Sequence, residues 1–334
     1  MPDSLEFFAE VDPAERTCES LAAGFPEIPF FTSAYLRARR STGFQPVVLG
    51  LRERSGALAS GCAALLKANF LFLSLQIPFL PRLPRPDIFR DGLLGFCRET
   101  RIRRLSLTSG AAPGDQPLSL PGEPRCTPRC AYLLDLTGGD LRSRFSPGHV
   151  RNIRRAESAG LRLDRTRRPE ACKEHVRLAS HSMERRRKRG EQVPAVDGAG
   201  FPAYLEEGAG ELFRVMSGDQ VLASVMVLRA RRGAYYQSAG NSPEGMASGA
   251  SHFLVHRTAE TLRAEGLTLF NLGGAGADAA GLHRFKAGFG AEKVELETVE
   301  WFLGGMLQRT SLAALQSVRT ACREVTRGLR EAWR

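Results

Sequence analysis

No apolar run in this chain of 334 residues is long enough to cross a bilayer. A membrane helix needs about 20 consecutive apolar residues. The nearest candidate, "FLFLSLQIPFL" from Phe70 to Leu80, is too short and carries a proline. The N-terminus, "MPDSLEFFAEVDPAE", is acidic and lacks the basic-then-apolar layout of a secretion signal. These absences predict a soluble, cytoplasmic protein. Cysteine is sparse, odd in number and scattered: Cys18, Cys62, Cys97, Cys126, Cys130, Cys172 and Cys322. That pattern fits reduced, mostly buried thiols rather than a disulfide framework. Metal motifs are missing too. Cys126 and Cys130 have no second pair and no histidine at ligand spacing, and His252 and His256 lack the glutamate of a HExxH zinc motif. No metal site is predicted. Neither a serine elbow nor a Cys/His pairing signal is found, so a direct transfer is favoured over a covalent enzyme intermediate.

What the chain does have is apolar content of 43%, enough for a sizeable core, and length enough for two ordinary domains. Its net charge is +11, and the excess is concentrated. Residues 142–189 hold sixteen Lys/Arg against five Asp/Glu, a surplus equal to that of the whole chain. Such a block suits an anionic partner such as phosphates, a nucleotide or RNA, and equally suits solvated helical faces.

The chain also repeats itself. "ALASGCAALLKANFLFLSL" from Ala57 matches the pattern of "VLASVMVLRARRGAYYQSA" from Val221, with Leu58-Ala59-Ser60 falling on Leu222-Ala223-Ser224 at an offset of 164. Without a gap, the same offset carries Leu71-Phe72 onto Tyr235-Tyr236 and Leu105 onto Leu269. Each half reads as strand ("PVVLGLRE"; "ELFRVMSG"), strand ("ALASGCAALL"; "VLASVMVLRA"), strand ("NFLFLSL"; "GAYYQSA"), amphipathic helix ("DIFRDGLLGFCRET"; "GASHFLVHRTAETLRAEG") and strand ("RRLSLTS"; "LTLFNLGG"). Antiparallel strands followed by a helix and a strand predict an α+β fold, duplicated within the chain. Between the halves, Ser146-Pro147 reads as a helix start and Gly160 as its stop. Arg151, Arg154 and Arg155 decorate that helix, with Arg151 and Arg155 on one face. The end of the chain, 306–334, reads as a basic amphipathic helix.

Three stretches resemble a known family: "FSPGHVRNIRRAESAGLRL" from Phe145, the core "VLASVMVLRARRGAYYQSAGNSPEGMASGASHFLVHRTAETLRAEGLTLFNLGG" from Val221, and the Phe-Lys-x-x-Phe-Gly signature in "GLHRFKAGFGAE" from Gly281. Their order and spacing resemble the Fem-type aminoacyltransferases and the related BioF2-like acyltransferases, which carry two GNAT-type domains in one chain. The resemblance implies an α+β fold of two tandem GNAT-like domains with a C-terminal helix. It divides the chain into 1–135 with a degenerate donor site, 136–305 with the active site, and the tail 306–334. It implies transfer of an acyl group to an amine, with no tightly bound cofactor. Fem-type members take an aminoacyl group from aminoacyl-tRNA; other GNAT domains take an acyl group from coenzyme A. A non-catalytic protein that keeps the fold and binds RNA or a nucleotide stays open beside these, as does contact of 142–189 with RNA.

Acyl transfer needs a fixed positive group facing the developing oxyanion, and an amine that arrives neutral. Lys286 fits the first need, with Phe285 and Phe289 expected to shield it and offer a ring face. The resemblance puts the matching lysine at the substrate site; whether it faces a carbonyl oxygen or a phosphate is open. Asp278 and His283 flank the signature as candidate proton relays. Tyr235 and Tyr236 lie on a cleft-bordering strand, and alternation lets at most one of them serve the site. Arg151, Arg154 and Arg155 are candidate phosphate contacts. GNAT domains hold the donor pyrophosphate on a Gln/Arg-x-x-Gly-x-Gly/Ala loop; here Met246, Gly249 and Ser251 occupy those places, so the glycine survives and the first position departs.

Overall fold

The computed structural model describes residues 5–110, 118, 120–191, 193 and 195–304. The predicted C-terminal helix, 306–334, lies outside the described residues. Twelve strands join in one sheet: β1 (Glu6–Val11), β2 (Gln45–Arg52), β3 (Leu58–Ala68), β4 (Leu73–Leu80), β5 (Ile102–Gly110), β6 (Arg125–Asp135), β7 (Arg162–Thr166), β8 (Gly210–Ser217), β9 (Gln220–Arg229), β10 (Gly233–Asn241), β11 (Leu269–Asn271) and β12 (Glu292–Phe302). Among the described residues, the helices are α1 (Glu15–Gly24), α2 (Ser33–Ser41), α3 (Pro86–Glu99), α4 (Pro147–Ser158), α5 (Ala171–Lys188), α6 (Phe201–Glu206), α7 (Pro243–Ala247), α8 (Ala250–Ala264) and α9 (Ala280–Ala287).

The strand order is β1-β2-β3-β4-β5-β12-β6-β11-β10-β9-β8-β7. Read inward from either edge, the pairings are the same. Three antiparallel contacts are followed by one parallel contact, β4 with β5 and β10 with β11. One antiparallel contact then completes each half, β5 with β12 and β11 with β6. The α+β duplication is therefore present in full. Its closing strands are exchanged: β6 follows β5 in the chain yet pairs with β11, while β12 follows β11 yet pairs with β5. The two exchanged strands pair with each other from Glu292 opposite Leu133 to Glu300 opposite Arg125.

The ungapped repeat needs one correction. The turn leaving β3 pairs Leu65 with Gln76, whereas the turn leaving β9 pairs Arg229 with Ala234. The offset is thus 164 for β3 onto β9 (65 to 229) but 158 for β4 onto β10 (76 to 234). Tyr235 and Tyr236 correspond to Ile77 and Pro78, not to Leu71 and Phe72. The run "NFLFLSL" is apolar enough to read as strand, but Asn69 bends it. Its side-chain oxygen accepts from Leu71 N at 2.8 Å and from Phe72 N at 2.9 Å, which makes 69–72 a tight turn and delays β4 to Leu73. The offset returns to 164 at β5 and β11.

Strands β8 and β9 are apolar on both faces because helices cover both. Leu212, Met226 and Leu228 point into a core shared with α1–α3 and α6, while their neighbours Phe213, Val225 and Val227 point into a second core with α4 and α8. One charge is locked inside this layer. Glu211 is fully buried on β8; it accepts from Arg229 on β9 at 2.6 Å and from Arg165 on β7, and both arginines also reach Glu265. Removing a partner from a buried ion pair leaves an uncompensated charge and costs about 3–5 kcal/mol. Glu211→Ala is accordingly expected to lose at least about 3 kcal/mol of unfolding free energy in a urea titration, whereas Glu174→Ala, which frees only the surface partner Arg177, is expected to lose under about 1 kcal/mol.

Candidate active site

β10 and β11 run side by side over three residue pairs only, from Gly233 opposite Leu269 to Tyr235 opposite Asn271; β10 then continues to Asn241 paired with β9 alone. Beside Tyr235 and Asn271 lies a cleft of about 980 Å³ between the two halves, with Gly273 and Gly274 on its wall. Its walls come from both. Phe30 and Phe79 belong to the first half, Tyr235 and Asn271 to the second, and Arg129 and Lys293 to the exchanged strands. The first half's "PFF" thus reaches across to the second, where Phe30 meets Tyr235 edge to face at 4.9 Å between centroids.

Lys286 stands at the point where β10 and β11 part. The signature forms the helix α9 rather than a loop, and Lys286 in its last turn is 5% exposed. Its Nζ donates to the Gly274 carbonyl at 2.5 Å and lies 5.7 Å from the centre of the Tyr236 ring. A methyl placed on Gly273 would stand 3.6 Å from both Lys286 Nζ and the Tyr235 hydroxyl, so the two polar atoms face one small space. Burial, the largest cause, pushes the ammonium's pKa from the usual lysine range to about 8.

The aromatic residues of the signature do a different job from the one expected. Phe289 is fully buried in the second core, not at the cleft. Phe285 and Phe289 meet each other edge to face at 5.2 Å and pack on His149 of α4 and His252 of α8. Four residues apart, they share one face of the turn, and Lys286 leaves in another direction. The ring beside its ammonium is Tyr236. The sequence gives no sign of His149, yet it is the hub of this packing. Ser146 Oγ meets its Nδ1 at 2.8 Å, the Phe285 carbonyl meets its Nε2 at 2.8 Å, and Ser146 N donates to the Gly288 carbonyl at 2.8 Å. Gly288 is needed for contact: a methyl there would fall 2.1 Å from the His149 ring. The signature is thus a docking element that fixes α9 on the start of α4, and the lysine rides on it.

The remaining candidates are placed as follows. His283, one turn before Lys286, has partners that were not foreseen: the Tyr132 hydroxyl at 2.8 Å from Nδ1 and the Gly276 carbonyl at 3.0 Å from Nε2. The carbonyl accepts, so Nε2 carries the hydrogen and Nδ1 accepts from Tyr132. Asp278 is exposed in the loop before α9, its carboxylate lying beside Gly276, whose carbonyl His283 meets. Tyr235 and Tyr236 do face opposite ways: the first lines the cleft, the second packs in the second core behind Lys286. Arg151 and Arg154 are exposed on α4, whereas Arg155 donates to the Ala247 carbonyl at 3.3 Å and ties α4 to α7.

Gly249 and Ser251 are not free to hold a pyrophosphate. Gly249 precedes α8 with φ +78°, a left-handed conformation, and a methyl there would lie 2.3 Å from the Asn152 carbonyl of α4. Ser251 accepts from the Asn241 side chain at 2.5 Å. The start of α8, where a phosphate would meet backbone N–H groups, is covered by α4. The basic block is similarly committed. Arg144 pairs with Asp135, Arg165 and Arg167 with Glu211, and Arg186 and Arg189 with Glu191, all acids outside 142–189. The surplus counted along the chain is partly neutralised in space.

Residues 148–287 match the family model described as an acetyltransferase (GNAT) domain. That match identifies a GNAT-type acetyltransferase domain within the second half of the chain. The chain's fold is the Fem-like double GNAT fold. The crystal structure of FemX superposes with a TM-score of 0.62 at 12% identity, over 87% of this chain and 96% of that one. L-PGS from Bacillus licheniformis gives 0.55 at 14% identity, over 90% and 96%. A tandem GNAT protein from the clavulanic acid biosynthesis pathway gives 0.51 at 15% identity, over 89% and 98%. No curated protein sequence matches the chain. Among the described residues no helix is long and apolar enough to cross a membrane, and no cluster of His, Cys, Asp or Glu could hold a metal ion.

Burial disfavours the charged form of four histidines, His256 beside Glu260 among them. The pKa of His175 and of His252 is pushed down to about 4, and that of His149 is lowered in the same direction. The unfolded chain protonates these rings near pH 6.5. Stability is therefore complete above pH 6.5 and is lost as pH falls from 6.5 towards 4. Melting temperature is expected to drop across that window, and His252→Asn is expected to flatten the drop. In the same scans at pH 7.5, Gly288→Ala should melt several degrees lower, since the His149 ring must move.

Proposed function

We propose that this acyltransferase moves an aminoacyl group from aminoacyl-tRNA to the amine of a small-molecule, peptide or cell-wall-type acceptor, by direct attack within the central cleft. The observation that carries the choice of donor is the covered start of α8. A coenzyme A donor uses that helix end for its pyrophosphate, whereas an acyl group presented on the terminal ribose of an RNA has no need of it. The exposed pair Arg151 and Arg154 on α4 offers the RNA backbone two cations beside the second half. In the reaction the neutral amine attacks the ester carbonyl, and the carbonyl oxygen takes up negative charge. The nitrogen–carbon bond forms as the ribose oxygen departs, and that oxygen takes the proton released by the amine. Lys286, charged and largely shielded from water, stabilises the oxyanion. A donor of this kind is worth about 3–4 kcal/mol, or a factor of about 10²–10³ in kcat.

An acyl-CoA donor is the second reading, favoured by the acetyltransferase family match over 148–287. One assay separates the two. The protein is incubated with an amine panel and either tRNA charged with a radiolabelled amino acid or radiolabelled acetyl-CoA, each with and without ribonuclease. Label passing from tRNA only, and lost with ribonuclease, is the expected result. Label passing from acetyl-CoA regardless of ribonuclease establishes the second reading. Salt-sensitive tRNA binding with no transfer from either donor leaves a non-catalytic RNA-binding protein.

Lys286→Met should lower kcat by about 10²–10³-fold while the dissociation constant for the donor stays unchanged. Because the cation is the active form, the rate of the wild type should fall as pH rises through about 8. Lys286→Arg, whose side chain keeps its charge, should lose that alkaline limb. A rise through pH 8 that is present in the wild type and absent from Lys286→Arg would assign Lys286 as a base and overturn the oxyanion role.

A further inference from the structure

We propose that the β3–β4 turn of the first half is a lipid-contacting tip that rests the protein on an anionic phospholipid surface. The turn is the segment by which β3–β4 exceeds β9–β10, so it is an addition to the duplicated scaffold. At its apex Phe70 is 101% exposed, and the adjoining Leu71 is 50% exposed. Of the four large hydrophobic residues exposed among those described, two are therefore consecutive at one point. Looseness does not explain their position. Asn69 N donates to the Phe72 carbonyl at 3.1 Å, and the Asn69 side chain accepts from Leu71 and Phe72. Phe72, at the base, meets Phe302 edge to face at 6.4 Å. The backbone is satisfied and the base is packed, so the turn holds its two apolar side chains out in water.

The surroundings match a negatively charged interface. At the same end of the sheet, Ala68 pairs with Leu73, Leu73 pairs with Ile102, and Leu303 N donates to the Arg103 carbonyl. That register sets Arg101 and Arg103 level with the tip. Lys67 is exposed beside it, its ammonium 4.2 Å from the Phe44 ring centre. Just behind the tip lies a pocket of about 280 Å³, lined by Lys67, Asn69, Ser74, Gln76, Arg104 and Ser106, with Glu300 paired to Arg104 on its wall. Two cations, two hydroxyls and two amides behind an apolar point suit a phosphate headgroup above acyl chains. Apolar insertion and attraction to anionic lipid are the two contributions that together hold a protein at an interface. The tip lies on the sheet away from Lys286, and the proposal is independent of the donor.

The test uses the full chain and extruded vesicles of phosphatidylcholine alone or with phosphatidylglycerol. The wild type is expected to sediment with the mixed vesicles and not with phosphatidylcholine alone. The double variant Phe70→Ser, Leu71→Ser is expected to bind the mixed vesicles at least tenfold more weakly, with an unchanged melting temperature. Phe70→Trp is expected to show a blue shift of its emission only when mixed vesicles are added. Three outcomes overturn the proposal. The double variant could bind as the wild type does, which assigns any lipid binding elsewhere. The Phe70→Trp emission could be blue-shifted without vesicles at every protein concentration, which assigns the tip to cover by residues of this same chain. Or the shift could grow with protein concentration alone, which assigns the tip to contact between two copies.

Discussion

The pairing of β6 with β12 is the contact on which everything else rests. It is the seam at which the two half-sheets become one, and each strand in it belongs by sequence to one half and by hydrogen bonding to the other. The cleft lies along this seam. Arg129, Cys130 and Lys293 reach it from the exchanged strands, and the two halves supply the facing walls. A site built this way cannot belong to one repeat. The duplicated scaffold supplies the two open sheets, and the exchange holds them in the relation that leaves a substrate-sized space between them.

Within that frame, the lysine is positioned by packing of apolar groups and left charged at a cost. The rings of Phe285 and Phe289, docked on His149 and His252, anchor α9; the Gly274 carbonyl and the Tyr236 ring then receive the ammonium. Burial alone disfavours a cation, which is why the pKa falls to about 8. One carbonyl does not make up for the water lost, so the ammonium retains unspent capacity to stabilise a negative oxygen brought close to it. The same surroundings depress the nearby histidines. Lys286 is therefore a buried cation in surroundings of low polarity, unlike Arg129 and Lys293, which come from the exchanged strands.

Much of the architecture was legible because the two halves repeat one pattern, and a pattern seen twice is hard to mistake. The helix start at Ser146-Pro147 and its stop at Gly160 are visible as cap residues, and the structure uses them so: the Ser146 side chain accepts from His149 N, and Gly160 adopts φ +67°. What escaped was whatever depends on a partner distant in sequence. An ungapped comparison has no means of detecting the longer β3–β4 turn, because Asn69 acts through backbone groups rather than through hydropathy. The exchange of β6 and β12 is invisible for the same reason: both strands fall outside the compared units, and pairing is a long-range property. At the site, Lys286 was legible as a cation misplaced among apolar residues. His149 was not, since a lone histidine on a basic helix carries no mark of being buried. Nor does the loop pattern around Gly249 and Ser251 reveal that the α4 backbone packs against that helix end, a contact 97 residues apart (Asn152 to Gly249).

The exchanged strands also govern the order in which the chain can become complete. A ribosome releases β1 through β5 long before β12, the strand that closes that sheet, has been made. Until then the edge of β5 is unpaired, and β6, the next strand to emerge, has its own partners, β11 and β12, still unmade. The early half waits for the last described strand of the chain, and its finishing contacts span nearly two hundred residues, from Thr108 to Thr298. Such separations slow folding and prolong the life of an exposed edge. A cut anywhere between the halves would leave each fragment holding the other's final strand.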